Sequence, residues 1–364
     1  MNIIIVSPSL NPTQNISGIS SVTQFIIKNN RKFNYIHFKI GKQDNESGGF
    51  SRIIPILKSL LSWRRLISNY PNAIIHYNFP LSKASILRDS LFISIARIKK
   101  CRIIIHLHGG NFLTAPHIPI YLNIILKKIF SLPVPFIVLS ELEKKFVQQK
   151  FKGKNIYILP NCIELDKAYQ YRKEKNINNC LTIGYLGRIA ETKGMTYLLN
   201  ACMEMKSKDI PFILKIAGKE EVNNQYIPLF KKELGEHFIY AGVISGEEKN
   251  NFLKSLDIFI LPSFFEGLPM SLIECMSFGV VPVTTPVGSI KEIIKNNING
   301  VFIEVKDEQS IVYQINRLHN DRSLLFSMSK NSQNFIFQNF NIETYIQQLN
   351  FIYSQVSKLP KLAY

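Results

Sequence analysis

Short apolar runs recur along the chain. Between them lie longer stretches in which apolar residues return every three or four positions. In the first half the runs are NIIIVS (2–7), NYIHFKI (34–40), AIIHY (73–77), RIIIHL (102–107) and PFIVLS (135–140). Each is rich in β-branched and aromatic residues and predicts a strand. Helical spacing falls near 19–30, 51–69, 81–98, 117–130 and 140–150. The second half does the same. Its predicted strands are LTIGYLG (181–187), FILKIAG (212–218), HFIYAG (237–242), DIFILPS (257–263), VVPVTT (280–285) and GVFIE (300–304). Its predicted helices fall near 194–206, 247–255, 269–278, 288–296, 308–319, 322–335 and 342–357.

Strands that are apolar almost throughout, alternating with helices, predict parallel sheets covered on both faces. Two such series predict an α/β protein of two Rossmann-like domains, residues 1–163 and 181–341. The polar segment 164–180, with YRKEKNINN at its centre, predicts the linker. In doubly wound sheets ligands bind beyond the carboxyl ends of the strands, so two such domains facing each other predict a cleft between them. The length of 364 residues agrees with two cores rather than one.

Charge divides the halves. Residues 1–160 hold 22 Lys and Arg against 5 Asp and Glu, a balance of +17; residues 161–364 hold 22 against 21. That asymmetry predicts an anionic partner for the first half: a membrane surface, a phosphorylated substrate or a nucleic acid. The stretch FSRIIPILKSLLSWRRLIS (50–68) combines apolar residues and Trp63 with Arg52, Lys58, Arg64 and Arg65, a pattern suited to an anionic membrane interface. RIKKCR (97–102) and LKK (126–128) add positive charge. The alternative reading, packing of 50–68 on the sheet with its cations merely solvated, stays open here. No helix-turn-helix, RNP or zinc pattern favours nucleic acid. MNIIIVSPSL lacks a charged n-region and a long apolar core, so it reads as a strand rather than a secretory signal. No uncharged apolar run reaches the ~18 residues of a membrane span. The five cysteines show no C-x-x-C spacing. Free thiols and a cytoplasmic location, peripheral to the inner face of the membrane, are expected.

Four stretches carry candidate chemistry. In SPSLNPTQNISGIS (7–20) a strand enters a loop, and Gly18 stands just ahead of a helix, where backbone can approach a phosphate. In YLGRIAETKG (185–194) Arg188 and Lys193 follow a strand and could hold a diphosphate. In HLHGGNF (106–112) His108 precedes two glycines and is placed to hydrogen-bond a polar substrate, while His106 reads as a core residue. Two histidines without further ligands do not make a zinc site. In FFEGLPMSLIEC (264–275) Pro269 suits the first helical position, which puts Glu266, Gly267 and Leu268 in the loop before a helix start and Glu274 inside the helix. A helix start attracts an anion, Glu274 could bind a ribose diol, and Glu266 could meet sugar hydroxyls. Carboxylates beside a phosphate need cations, and Arg188 and Lys193 could supply them.

These stretches resemble the family 4 retaining glycosyltransferases. The resemblance rests on EGLPMSLIE (266–274) as an E-x7-E signature, and on YLGRIAETKG, HLHGGNF, FIYAGVISGEE (238–248) and PNCIELD (160–166). It implies the two-Rossmann GT-B fold and transfer of a sugar from a nucleoside-diphosphate sugar, UDP- or GDP-linked. The implied roles are Glu274 on the ribose, Glu266 and His108 on the sugar, and Arg188 and Lys193 on the diphosphate. Gly18 would lie near the phosphates, and Val243 and Ile244 would border the base. The resemblance also implies a C-terminal helix, 342–358, packed back on the first domain. The chain has Ser17-Gly18 where the family usually has two glycines, and Cys162 where it commonly has a third-position glycine. No D-x-D triplet is present, so no cofactor or metal is expected. The expected acceptor is a saccharide, free or linked to a polyprenyl diphosphate, in surface polysaccharide assembly. A nucleotide-sugar epimerase and a basic nucleic-acid-binding protein are the alternatives.

Overall fold

The computed structural model describes the chain except residues 12–13, 16, 42–45, 47–49, 116, 175–179, 222–224 and 360–364. Contacts divide it into two compact units, Met1–Cys162 with the segment from Asn341 on, and Ile163–Phe340.

The first unit is built on six parallel strands: β1 (Asn2–Ser7), β2 (Asn34–Lys39), β3 (Ile74–Phe79), β4 (Arg102–Leu107), β5 (Phe136–Val138) and β6 (Ile156–Ile158), in the order β2-β1-β3-β4-β5-β6. The short edge strand β6 has no counterpart in the apolar pattern. Its three residues are half-buried and lie between Asn155 and Pro160. Alternate residues of β3 and β4 face opposite layers. Ile75, Tyr77, Ile103 and Ile105 join the main apolar core with Trp63, Ile67 and Phe92. His76, Asn78 and His106 carry the other set, and Tyr353 from the helix Ile342–Lys358 meets His76 there. That helix also packs on the helix Gly18–Asn29: Phe25 and Tyr345 stack edge-on at 5.5 Å, and Asn30 Nδ2 donates to Asn350 Oδ1 at 2.8 Å.

The helix Ile53–Asn69 corrects one expectation. Trp63 is fully buried, its indole N–H donates to Phe92 O at 3.0 Å, and its ring lies 4.9 Å from that of Phe38. It is a core residue and cannot sit at a membrane interface. The opposite side of the same helix exposes Ile53, Ile54, Leu57 and Leu61, the last two 55% and 70% exposed. The neighbouring helix Lys83–Ile98 exposes Leu87, Leu91 and Ile98, and the helix packed beside that one, Ile120–Phe130, exposes Ile120, Tyr121 and Ile124. Among the described residues no helix is long and apolar enough to cross a membrane.

The second unit has six more parallel strands: β7 (Leu181–Leu186), β8 (Phe212–Ala217), β9 (Phe238–Gly242), β10 (Ile258–Leu261), β11 (Val281–Thr284) and β12 (Val301–Phe302), in the order β12-β11-β10-β7-β8-β9. Strand order reverses between β7 and β10, and there the loops leaving the two strands part. The helix Tyr226–Leu234 has no counterpart in the predicted elements. Ile227, Phe230 and Leu234 bury its inner side, and Pro228 is tolerated because it falls in the first turn. Residues 164–174, read as linker, pack on this unit. Asp166–Tyr169 is helical, Tyr171 meets Phe278 edge-on, and Lys173 Nζ donates to Lys254 O at 3.1 Å. Residues 175–179 of that linker lie outside the described residues.

Trp63→Ala should cost about 3–5 kcal/mol of stability, the loss typical of a buried tryptophan. A shift in denaturant midpoint measures it. A midpoint unchanged from wild type would contradict the core placement.

Candidate functional site

The carboxyl ends of β7, β8 and β9 are held together by backbone. Gly187 N–H donates to Ala217 O at 3.0 Å, and Gly218 N–H donates to Gly242 O at 2.7 Å. Gly218 has φ +139°, and a Cβ there would stand 1.7 Å from Gly187 O, so only glycine fits. The buried Tyr185 hydroxyl donates to Arg188 O at 2.6 Å and fixes the next step of the chain. Arg188 extends outward to an exposed ion pair with Glu221 at 3.2 Å. It does not reach Glu266.

Lys193 does. A short turn, Glu191–Lys193, ends in Gly194 at φ +76°, and Lys193 Nζ donates to Glu266 Oε1 at 2.6 Å. The two loops are joined again where Phe264 N–H donates to Thr192 O at 3.0 Å. Lys193 and Glu266 therefore meet across the point where strand order reverses, one from the loop after β7 and one from the loop after β10.

The loop after β10 is clamped from its other side. Gly288, at φ +53°, lies so close that a Cβ would stand 1.9 Å from Glu266 O, and Ser289 N–H donates to Gly267 O at 3.1 Å. Leu268 turns inward and is buried. Pro269 is the N-cap of the helix Met270–Ser277, one position earlier than expected, with ψ 126° still extended. No side chain caps this helix start. A helix start points backbone N–H groups and partial positive charge outward.

Glu274 lies on that helix, largely buried, and its Oε1 accepts from Lys249 Nζ at 2.8 Å. Lys249 comes from the helix Gly246–Lys254, which follows β9. It was absent from the sequence-derived site, although the run GEEK places a cation in the helix after the β9 loop. In that loop Val243 is exposed and Ile244 is buried. Arg188, Lys193, Val243, Glu266, Gly267 and Glu274 thus all lie in the second unit, Glu274 within the helix Met270–Ser277 and the others in segments that follow the carboxyl ends of its strands.

Residues 167–335 match the model of the family described as Glycosyl transferases group 1. The second unit is a group 1 glycosyltransferase domain. The chain is 23% identical to an uncharacterized glycosyltransferase of Methanocaldococcus jannaschii, over 83% of this chain and 81% of that protein. It is 26% identical to the UDP-Gal:alpha-D-GlcNAc-diphosphoundecaprenol alpha-1,3-galactosyltransferase of Escherichia coli, over 54% of each chain. The structure of Anabaena HepE in complex with UDP and glucose superposes with a TM-score of 0.72 at 15% identity, covering 98% of this chain and 99% of that one. The chain has the GT-B fold of two Rossmann-like units.

In the first unit, Gly18 opens the helix Gly18–Asn29, capped by Ser17, whose Oγ accepts from Ser20 N–H at 3.3 Å. Residues 12, 13 and 16 of the preceding loop lie outside the described residues. His108, half-buried after β4, is hydrogen-bonded through Nε2 to Asn78 Oδ1 at 2.6 Å. Its ring lies 4.1 Å from that of His106. His106 Nδ1 is bonded to His76 Nε2 at 3.0 Å, and His76 Nδ1 to the Tyr353 hydroxyl at 2.7 Å. Burial pushes the pKa of His76 and of His108 down to about 3, and that of His106 well down, so all three rings are neutral at physiological pH. Among the described residues no group of three or more His, Cys, Asp or Glu side chains could hold a metal.

The group 1 domain depends on Gly288 for the place of Glu266. Gly288→Ala should lower stability by about 1–3 kcal/mol, through strain at a positive φ and the forced shift of the Glu266 backbone. A urea melt reads this; unchanged stability would mean that the loop moves aside freely.

Proposed function

We propose that the chain transfers a sugar from a nucleoside-diphosphate sugar, UDP- or GDP-linked, to a lipid-linked saccharide in surface polysaccharide assembly. The observation that carries the reading is the Lys193–Glu266 ion pair at the strand-order reversal, together with Lys249–Glu274 on the helix that follows β10, beside an uncapped helix start. In this reading the diphosphate lies at the start of the helix Met270–Ser277 and takes Lys193 as its cation. Lys193 then turns from Glu266 toward the phosphate, and Glu266 is released to accept from the sugar hydroxyls. Glu274, already oriented by Lys249, accepts from the ribose diol through its second oxygen. Val243 and Ile244 border the base. Arg188, whose partner Glu221 is exposed, swings in as a second cation.

The charge that develops on the leaving diphosphate is met by these fixed cations and by the helix start, so the proposed mechanism needs no metal. The acceptor attacks on the face the diphosphate leaves, and the departing phosphate takes the acceptor's proton. The sugar is retained in its anomeric configuration. The acceptor class is supported by the Escherichia coli relative, which acts on a diphosphoundecaprenol-linked sugar, and by a Staphylococcus aureus relative named for capsular polysaccharide biosynthesis. The UDP and glucose bound to Anabaena HepE support a UDP donor. An epimerase or a nucleic-acid-binding role has no observation of its own in its favour.

The membrane partner is carried by the first unit. Its exposed apolar residues on three neighbouring helices, Leu61, Ile54 and Ile120 among them, share a chain half with a balance of +17. That combination fits shallow insertion into an anionic leaflet, on its inner face for a cytoplasmic enzyme.

A thermal-shift screen in EDTA tests the donor site. One of UDP, GDP or ADP should stabilise wild type, by about 2.7 kcal/mol at a hundred times Kd, and leave Glu274→Ala unshifted. No shift with any nucleotide at millimolar concentration would count against the reading. Lys193→Ala should lower kcat by about 10²–10³ with the fold intact. Vesicle sedimentation tests the membrane face: phosphatidylglycerol vesicles should retain wild type and release the Ile54→Glu, Leu61→Glu double variant. Equal retention of both proteins would rule that face out.

A further inference from the structure

The hydrogen bonds behind His108 have a fixed direction. The Thr23 hydroxyl, on the helix that Gly18 opens, donates to Ile19 O at 2.8 Å. Its single proton is thereby used, so it can only accept from Asn78 Nδ2, at 3.3 Å. The same Nδ2 donates to Val6 O at 2.9 Å. Both amide protons of Asn78 are therefore engaged, and the orientation of this buried amide follows from its partners. Oδ1 is left facing His108 Nε2 at 2.6 Å. A carbonyl oxygen can only accept, so Nε2 must carry the proton of the imidazole.

The other ring nitrogen follows. A neutral imidazole protonated on Nε2 has an acceptor lone pair on Nδ1. Among the described residues His108 Nδ1 has no hydrogen-bond partner, while the ring is half-buried and stacked on His106. Gly109 and Gly110 follow it, and Gly110, at φ +123°, lies so near Leu81 that a Cβ would come within 2.8 Å. The ring is thus held on one side by Asn78 and on its face by His106.

We propose that Asn78 is a positioning residue that, oriented by Thr23 and Val6, holds His108 as the Nε2–H tautomer so that Nδ1 accepts a hydrogen bond from a sugar hydroxyl. The inference rests on the glycosyl-transfer reading for its ligand and on the hydrogen-bond directions alone for the tautomer. His76 and His106 are the titratable groups nearest the ring along the two strands, and both are neutral. They place no positive charge against His108 and leave the lone pair available.

Histidine-selective 15N labelling with long-range 1H–15N correlation reads which ring nitrogen carries the proton. The His108 signals are those missing from the His108→Gln variant. Wild type should show a proton on Nε2 and a bare Nδ1. Asn78→Ala should show a mixture of tautomers and lose about tenfold in kcat/KM, the factor that one ordinary hydrogen bond supplies. A proton on Nδ1 in wild type overturns the proposal and needs no variant to be folded. So does an Asn78→Ala variant that keeps both the tautomer and the wild-type rate. If wild type transfers no sugar from any nucleotide sugar, the functional reading fails, and the tautomer measurement still decides what Asn78 does.

Discussion

Two carboxylates stand beside a helix start that the proposed function reserves for an anion, and such a cluster holds together only if each negative charge has a cation. Lys193 meets Glu266 and Lys249 meets Glu274, and the two cations arrive from two different strand ends. Everything around them serves that arrangement. Gly194, Gly218 and Gly288 let three backbone segments approach more closely than any side chain would allow. In a doubly wound sheet the loops part where strand order reverses. Here they part between β7 and β10, and the Lys193–Glu266 pair spans the gap. Without ligand the pairs keep the carboxylates oriented. In the proposed complex the two phosphates of the donor together carry two negative charges against one on Glu266, which favours transfer of the lysine to the diphosphate.

The first unit solves a different problem on the same architecture. A parallel strand buried on both faces normally carries apolar side chains only. Strands β3 and β4 instead bury His76, Asn78 and His106 on one face, where a histidine ladder joins His106 and His76 to Tyr353 of the C-terminal helix and Asn78 bonds His108. Buried polar groups are tolerated when their partners are built in. The ladder ties the last helix of the chain to the centre of the first sheet and ends beside His108, where the sheet meets solvent.

Most of the strands were legible because parallel sheets demand runs of β-branched residues, and NIIIVS and RIIIHL have few other readings. The elements that escaped are those where that demand is weak. Ile156–Ile158 is a short edge strand, and the helix Tyr226–Leu234 follows three polar positions and carries an early proline. In the candidate site the places of Lys193, Glu266 and Glu274 were legible because the first two follow predicted strand ends and the third sits inside the helix that Pro269 opens. Lys249 was not, since its partner lies 25 positions away and only the fold brings them together. Trp63 was misread for a related reason. Helical spacing shows that one side is apolar and another basic, but the helix Ile53–Asn69 is apolar on two sides, and spacing cannot say which one the core takes.

The central claim is that the group 1 domain holds a nucleoside diphosphate where β7 and β10 diverge. The most direct measurement is a crystal structure of the full chain with UDP or GDP bound. The account predicts diphosphate oxygens at Lys193 and the start of the helix Met270–Ser277, and the ribose diol on Glu274. A nucleotide bound with Lys193 still paired to Glu266 and Glu274 untouched would contradict it.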